Sequence, residues 1–181
     1  KGSRAVAIGY GALTNQNFTS ATNNYNVAVG FNAGEQITTG VENTLIGSLA
    51  GDALTTGDFN VALGWGALGV ETKGNKSVAI GTGALDAQTN ASDTDALNTA
   101  VGHGAGGAVT SGIRNVYIGA ISGDASTHAS DNTAVGEDSL GANVGGQNNV
   151  AVGTKTLQDF NIASGNSYNT AVGSKSGQAM T

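Results

Sequence analysis

The chain has no cysteine and no proline among its 181 residues, only 5% aromatic residues and only 11% charged ones. Without cysteine there is neither a disulfide scaffold nor a thiolate metal site. No apolar run approaches the ~20 residues of a membrane span, so membrane insertion by this segment is not expected. The net charge of −6 disfavours a phosphate-binding surface. Nucleic-acid recognition would also need a basic stripe or stacked aromatics, and neither is found. The 30 glycines far exceed an ordinary share of about 7%, yet no G-X-Y period supports collagen.

What the sequence does contain is one phrase, repeated. "NVAVG" at Asn26 returns as "VAIG" at Val6, "NTLIG" at Asn43, "NVALG" at Asn60, "SVAIG" at Ser77 and "NTAVG" at Asn98. It continues as "NVYIG" at Asn115, "NTAVG" at Asn132, "NVAVG" at Asn149 and "NTAVG" at Asn169. The closing glycines, from Gly9 to Gly173, are spaced 21, 17, 17, 17, 21, 17, 17, 17 and 20 residues apart. The base unit is 17 residues, and a 72-residue superperiod runs from Gly9 to Gly81 and from Gly81 to Gly153. Longer coils fall at 10–25, 82–97 and 154–168. The array spans 1–181 as a single unit and is expected to be a piece of a longer fibre.

Seventeen residues are too few for two useful helices but suffice for one solenoid coil of two short strands and two turns. The residue before the glycine is β-branched in nine of ten coils, and the residue two places earlier is always Val or Thr. Between them stands Ala in eight coils, with Leu45 and Tyr117 as the exceptions. Both strand faces are apolar or small, which predicts burial on both sides: one in the coil's own core, the other against a partner. Small side chains let backbones approach closely, so Ala28, Ala62, Ala79, Ala100, Ala134 and Ala151 are the candidates for a trimer interface.

Four residues after the glycine comes Leu or Gly. Where it is Gly, a large apolar residue stands three places on, as at Ile37, Leu54, Val109 and Met180. Where it is Leu, that later place is polar, as at Gln16, Glu71, Gln88 and Asn143. Each coil thus supplies one bulky side chain to a shared core layer from either place, and the Gly versions are expected at φ > 0. Ser126 and Phe160 break the rule. Asn precedes the strand in eight of ten coils, which predicts a ladder of side-chain amides along the axis.

The phrase Ser77-Val78-Ala79-Ile80-Gly81 and its relatives resemble the head repeats of trimeric autotransporter adhesins, and the longer unit "NVALGWGALGVETKGN" looks like repeat arrays of bacteriophage tail fibres. The resemblance implies a left-handed parallel β-roll in which three chains pack around a common axis, with an extracellular, cell-surface or virion-tail location. The adhesin heads carry no catalytic residues, so none are carried over.

Nothing in the residues themselves points to catalysis. His103 and His128 occupy different places in their coils. "GHGAGG" at Gly102 follows a strand but opens no helix and lacks the Lys-Ser/Thr of a phosphate loop. Asp93-Thr94-Asp95 has the oxygen ligands a hard cation prefers but none of the remaining positions of a calcium loop, so no metal or other cofactor is expected. Glu137 and Asp138 are adjacent and would point apart. Tyr10, Phe31, Trp65 and His103 each follow a closing glycine and are suited to packing or to sugar binding.

The expected fold is therefore an all-β, left-handed parallel β-roll or β-solenoid of about ten 17–21-residue coils, homotrimeric, forming a stiff structural or adhesive fibre rather than an enzyme. Stacked at ~4.8 Å, ten coils would extend about 48 Å. The inserts of the longer coils are expected to bulge from the roll and offer contacts to a host receptor or glycan through Phe18, Tyr25, Asp93, Asp95, Phe160 and Tyr168. The alternative is a monomeric sugar- or ice-binding solenoid, for which Thr38-Thr39-Gly40 and Thr55-Thr56-Gly57 would begin a threonine edge that Lys73 and His128 interrupt.

Overall fold

The computed structural model describes residues 2–180. Lys1 and Thr181, the ends of the array as read from sequence, lie outside the described residues. Ten three-residue strands, one per coil, stack into a single parallel sheet: Val6–Ile8, Val27–Val29, Thr44–Ile46, Val61–Leu63, Val78–Ile80, Thr99–Val101, Val116–Ile118, Thr133–Val135, Val150–Val152 and Thr170–Val172. Every strand pairs with the next coil in the same register, as in Ala28 against Leu45 and Ala62 against Ala79. The chain is a parallel β-solenoid, and the described residues contain no helix.

The other half of the coil is built from turns where a second strand was expected. Ala50 N–H donates to Gly47 C=O and Leu54 N–H to Gly51 C=O within one coil, while Gly34 and Gln36 donate to Ala50 and Asp52 of the next. The turns are therefore laddered along the axis like the strand, which satisfies backbone groups that would otherwise be buried without partners. Short second strands occur only beside the longer coils: Gly2–Ser3 with Thr22–Asn23, Gly74–Asn75 with Thr94–Asp95, and Gly146–Gln147 with Gly165–Asn166.

The strand faces sort opposite to expectation. Ala28, Ala62, Ala79, Ala100, Ala134 and Ala151 are fully buried inside their own coils. Their methyl groups point at the turns of the same chain, so they form no contact between chains, and that assignment is corrected. The larger Val, Thr, Ile and Leu residues on either side face outward, with Leu63 43% and Ile118 39% exposed. The physical reason is thickness. The inner layer already holds the bulky chain supplied from beyond the glycine (Leu68, Leu85, Leu140 or Leu157), and an alanine is what fits opposite it.

That layer explains both irregularities of the strand pattern. A Cβ on Gly34 or Gly51 would meet the Leu45 side chain at 2.7 and 2.8 Å, and one on Gly106 would meet Tyr117 at 2.9 Å. A large residue at the alanine place thus requires glycine in the facing turns. Tyr117 also fills the volume left by Ser126 and Gly123, so the coil that seemed to lack its bulky residue draws it from the strand. The Tyr117 hydroxyl lies near Ser126 and Asn132 without a well-formed hydrogen bond, and burial pushes the phenol up to about 12. The turn place four after the glycine is left-handed for both of its residue types, at Leu13 (φ 52°), Leu68 (φ 56°) and Leu85 (φ 50°) as well as at Gly34 (φ 59°).

The asparagine ladder is present. Asn26 Oδ1 accepts the N–H of Asn43 at 2.9 Å, Asn43 Oδ1 that of Asn60 at 2.9 Å, and Asn115 Oδ1 that of Asn132 at 3.0 Å. Each amide also donates across the coil, Asn43 to Gly57 C=O at 2.9 Å and Asn115 to Ala129 C=O at 2.8 Å. The ladder breaks at Ser77. There Gln88 bridges the gap, donating to Ser77 Oγ at 3.1 Å and accepting from Asn98 Nδ2 at 2.8 Å.

Gln88 is held in turn by the buried carboxylate of Glu71. Glu71 Oε1 accepts the N–H groups of Thr72, Lys73, Gly74 and Asn90, while Oε2 accepts Gln88 Nε2 and Asn90 Nδ2. Burial alone would raise the acid's pKa; the donors from Gly74, Asn90 and Gln88 more than offset it and hold it below its ordinary value. A depressed folded value stabilises the native state above the unfolded pKa, and that stability is lost as pH falls through the folded value. Glu71→Gln is expected to cost about 2 kcal/mol at pH 7, because its new N–H₂ faces two donors. It should also flatten the fall in denaturation midpoint between neutral and acidic pH. Burial raises Asp52, Asp58 and Asp124 and so works in the opposite direction in both proteins. An unchanged acid profile in the variant would show that the Glu71 network does not set it.

Candidate interaction surface

Strand alternation places three rows on the outer face of the sheet: three before the closing glycine, one before it, and one after it. The first two are Val/Thr and Ile/Val/Leu in all ten coils. They form a stripe along the axis that this chain does not cover, apolar except for Thr44, Thr99, Thr133 and Thr170 and exposed at Val6, Ile8, Ile46, Leu63, Ile118 and Val172 among others. On one side the stripe is bordered by a left-handed row that mixes charge (Arg4, Glu42, Lys76, Arg114 and Asp131) with Tyr25, Phe59, Leu97, Asn148 and Tyr168. Arg114 and Asp131 pair there through two hydrogen bonds of 2.6 and 2.8 Å. On the other side lies the third row, which holds Tyr10, Phe31, Trp65 and His103 but also Ser48, Thr82 and Glu137.

The predicted receptor contacts divide. Phe18 and Phe160 are buried at 7% and 5% exposure and cannot meet a receptor; that assignment is corrected. The inserts have enough chain to turn an aromatic ring back into the core, which their polar composition hides. Tyr25 and Tyr168 are exposed, on the left-handed border of the stripe and not at loop tips. Arg4 donates to the Tyr25 hydroxyl at 2.8 Å and lies over its ring. Asp95 is exposed and paired with Lys76 at 2.5 Å, which holds its carboxyl below the ordinary value. Asp93 accepts from Thr56 Oγ1 at 3.2 Å, two coils back. His128 likewise reaches Ala163 C=O at 3.2 Å. The inserts therefore lie back over preceding coils as straps, where bulges were expected.

The first threonine of each pair is committed internally, while Thr39 stays exposed. Thr38, Thr55 and Thr110 donate their hydroxyls to carbonyls of the next coil at 3.1, 3.0 and 3.0 Å. Among the described residues there is no enclosed pocket, no group of three or more His, Asp or Glu that could hold a metal ion, and no helix long and apolar enough to cross a membrane. What sequence reasoning missed is the Glu71 network: the polar residues at that place were seen, but only the folded coil brings Gln88, Asn90 and the 72–74 backbone around the carboxylate. No family model, no curated protein and no solved structure matches the chain.

Proposed function

We propose that the chain is a stiff segment of an extracellular or virion attachment fibre, a left-handed roll that assembles as a homotrimer along its apolar stripe and has no catalytic role. The observation that carries the reading is the stripe itself: two outward rows, apolar or Thr in every one of ten coils. A contiguous exposed apolar surface of that length marks an interface, and a repeat that offers it at every coil fits copies of itself running in parallel. Stiffness follows from strand, turn and asparagine ladders that all run along the axis. The monomeric ice-binding alternative is weakened because Thr38 and Thr55 spend their hydroxyls on backbone carbonyls and Lys73 and His128 interrupt the edge. Receptor contact is assigned to the surface outside the stripe.

Light scattering after size exclusion is expected to give three chains. A Leu63→Glu/Ile118→Glu double variant should give one folded chain, because both side chains are accessible in the single chain. Ala100→Glu should instead fail to fold, since its charge would lie unpaired inside the coil. A parent protein that remains monomeric at micromolar concentration would refute the trimer.

A further inference from the structure

The third outward row alternates along the N-terminal half of the solenoid. It reads Phe31, Ser48, Trp65, Thr82, His103 in five successive coils: ring, hydroxyl, ring, hydroxyl, ring. All five lie on the outer face, and Phe31 and Trp65 are 51% and 57% exposed. The pair that opens the row shows how its rings sit. Tyr10 and Phe31, in adjacent coils, have centroids 5.6 Å apart and planes 11° from parallel, so they stack face to face along the axis. Where a hydroxyl residue replaces a ring, the stack has a gap. Two coils separate Phe31 from Trp65 and Trp65 from His103, about 9.6 Å at the strand spacing. That leaves room for one ring between the walls, about 4.8 Å from each.

The chemistry around the gaps is that of a sugar. Ser48 and Thr82 put a hydroxyl-bearing residue at each gap. Beside Thr82 the approach is open, since a Cβ on Gly83 would meet nothing within 4 Å. A carboxylate stands close by, with Asp86 Oδ1 3.8 Å from the Cβ position of Gly66, the residue that follows Trp65. Aromatic faces are electron-rich and attract weakly positive C–H groups, which a pyranose presents on its faces while its hydroxyls point outward to acceptors. Charge selects further. Glu35 and Asp86 lie near enough to Asp52 to raise its pKa through repulsion, in a chain of net charge −6, so an anionic sugar is disfavoured.

The row lies outside the proposed seam between chains. The two stripe rows are apolar or Thr in all ten coils, whereas the third carries exposed Glu137 farther along, which a buried seam would not tolerate. We infer that the gaps over Ser48 and Thr82 are binding sites for neutral pyranose rings at the ends of surface glycans, with Trp65 as the wall shared by both. The inference rests on the reading of the chain as an attachment fibre and names the ligand class that reading left open.

Trp65 is the single tryptophan, so its emission reports both gaps directly. The intact chain in its native assembly state is titrated with methyl β-galactoside, methyl α-mannoside, N-acetylglucosamine and lactose, with sialyllactose as the anionic comparison and phenylalanine amide as the flat non-sugar. At least one neutral sugar is expected to give a saturable change in emission in the millimolar range, with sialyllactose and phenylalanine amide at least tenfold weaker. Ser48→Phe/Thr82→Phe should plug both gaps by continuing the Tyr10–Phe31 stack, and so reduce sugar affinity at least tenfold with the melting temperature unchanged. Parallel calorimetry follows that variant without relying on the indole. No saturable change with any neutral sugar, unchanged binding after plugging, or tighter binding of phenylalanine amide would each overturn the inference. Light scattering on the same samples reports the trimer separately, so a protein that assembles without binding sugar sinks this inference alone.

Discussion

Gly64→Ala is expected to prevent the solenoid from folding, or to destabilise it by more than about 4 kcal/mol. Gly64 sits at φ +137°, a conformation L side chains rarely adopt, and a Cβ there would lie 2.6 Å from the carbonyl oxygen and 2.7 Å from the carbonyl carbon of Gly81. Both are backbone atoms of the next coil, fixed by the ladder bond from Gly81 N–H to Leu63 C=O at 2.8 Å. No side chain can move to relieve the clash. Gly83→Ala is the internal comparison: its φ is +65° and its Cβ would meet nothing within 4 Å. It should cost only the left-handed penalty of about 1–2 kcal/mol. Denaturant unfolding followed by circular dichroism separates the two, and a Gly64→Ala protein as stable as Gly83→Ala would refute the close-approach argument.

The second large effect is expected at the asparagine ladder. Asn115→Leu removes the acceptor for Asn132 N–H and the donor to Ala129 C=O, both within the buried layer. Each orphaned group costs about 1–3 kcal/mol, so a loss of about 3–5 kcal/mol is expected. Asn132→Leu should cost a similar amount, because Asn132 Oδ1 accepts from Asn149 N–H and its amide donates to Gly146 C=O. The double variant should lose less than the sum of the two, since they break one continuous chain. Strict additivity would mean that the ladder behaves as separate caps.

Much of this fold is legible in the residues because the array states each rule many times over. The closing glycines mark the coils, and the asparagines mark the buried corner, since an amide both accepts from the next coil and donates across its own. In and out could not be told apart at the strand, where Val, Ala and Ile are all apolar. The deciding quantity is the space left beside Leu68 or Leu85, which belongs to the packed coil and not to the strand. Tyr117 and Leu45 look like exceptions in a column of alanines until the glycines facing them are seen. Glu71 is invisible for a related reason. It stands where Ile37, Leu54 and Val109 fill other coils, and only folding brings six donors around it. The alanine face reads in sequence as the one left for a partner, whereas the folded chain buries it and leaves the Val/Thr and Ile/Val/Leu face uncovered.

The register of the coils has a mechanical consequence. Each coil is bonded almost wholly to its two neighbours, so a pull on the chain ends loads the junctions in series and peels coils off singly from the ends. A freed 17-residue coil yields roughly 50 Å of slack in exchange for one strand spacing. A solenoid of this kind is rigid under a light tug and yields stepwise under a heavy one; in the proposed attachment fibre, a tethered particle or cell would be slowed by unravelling before it was torn free.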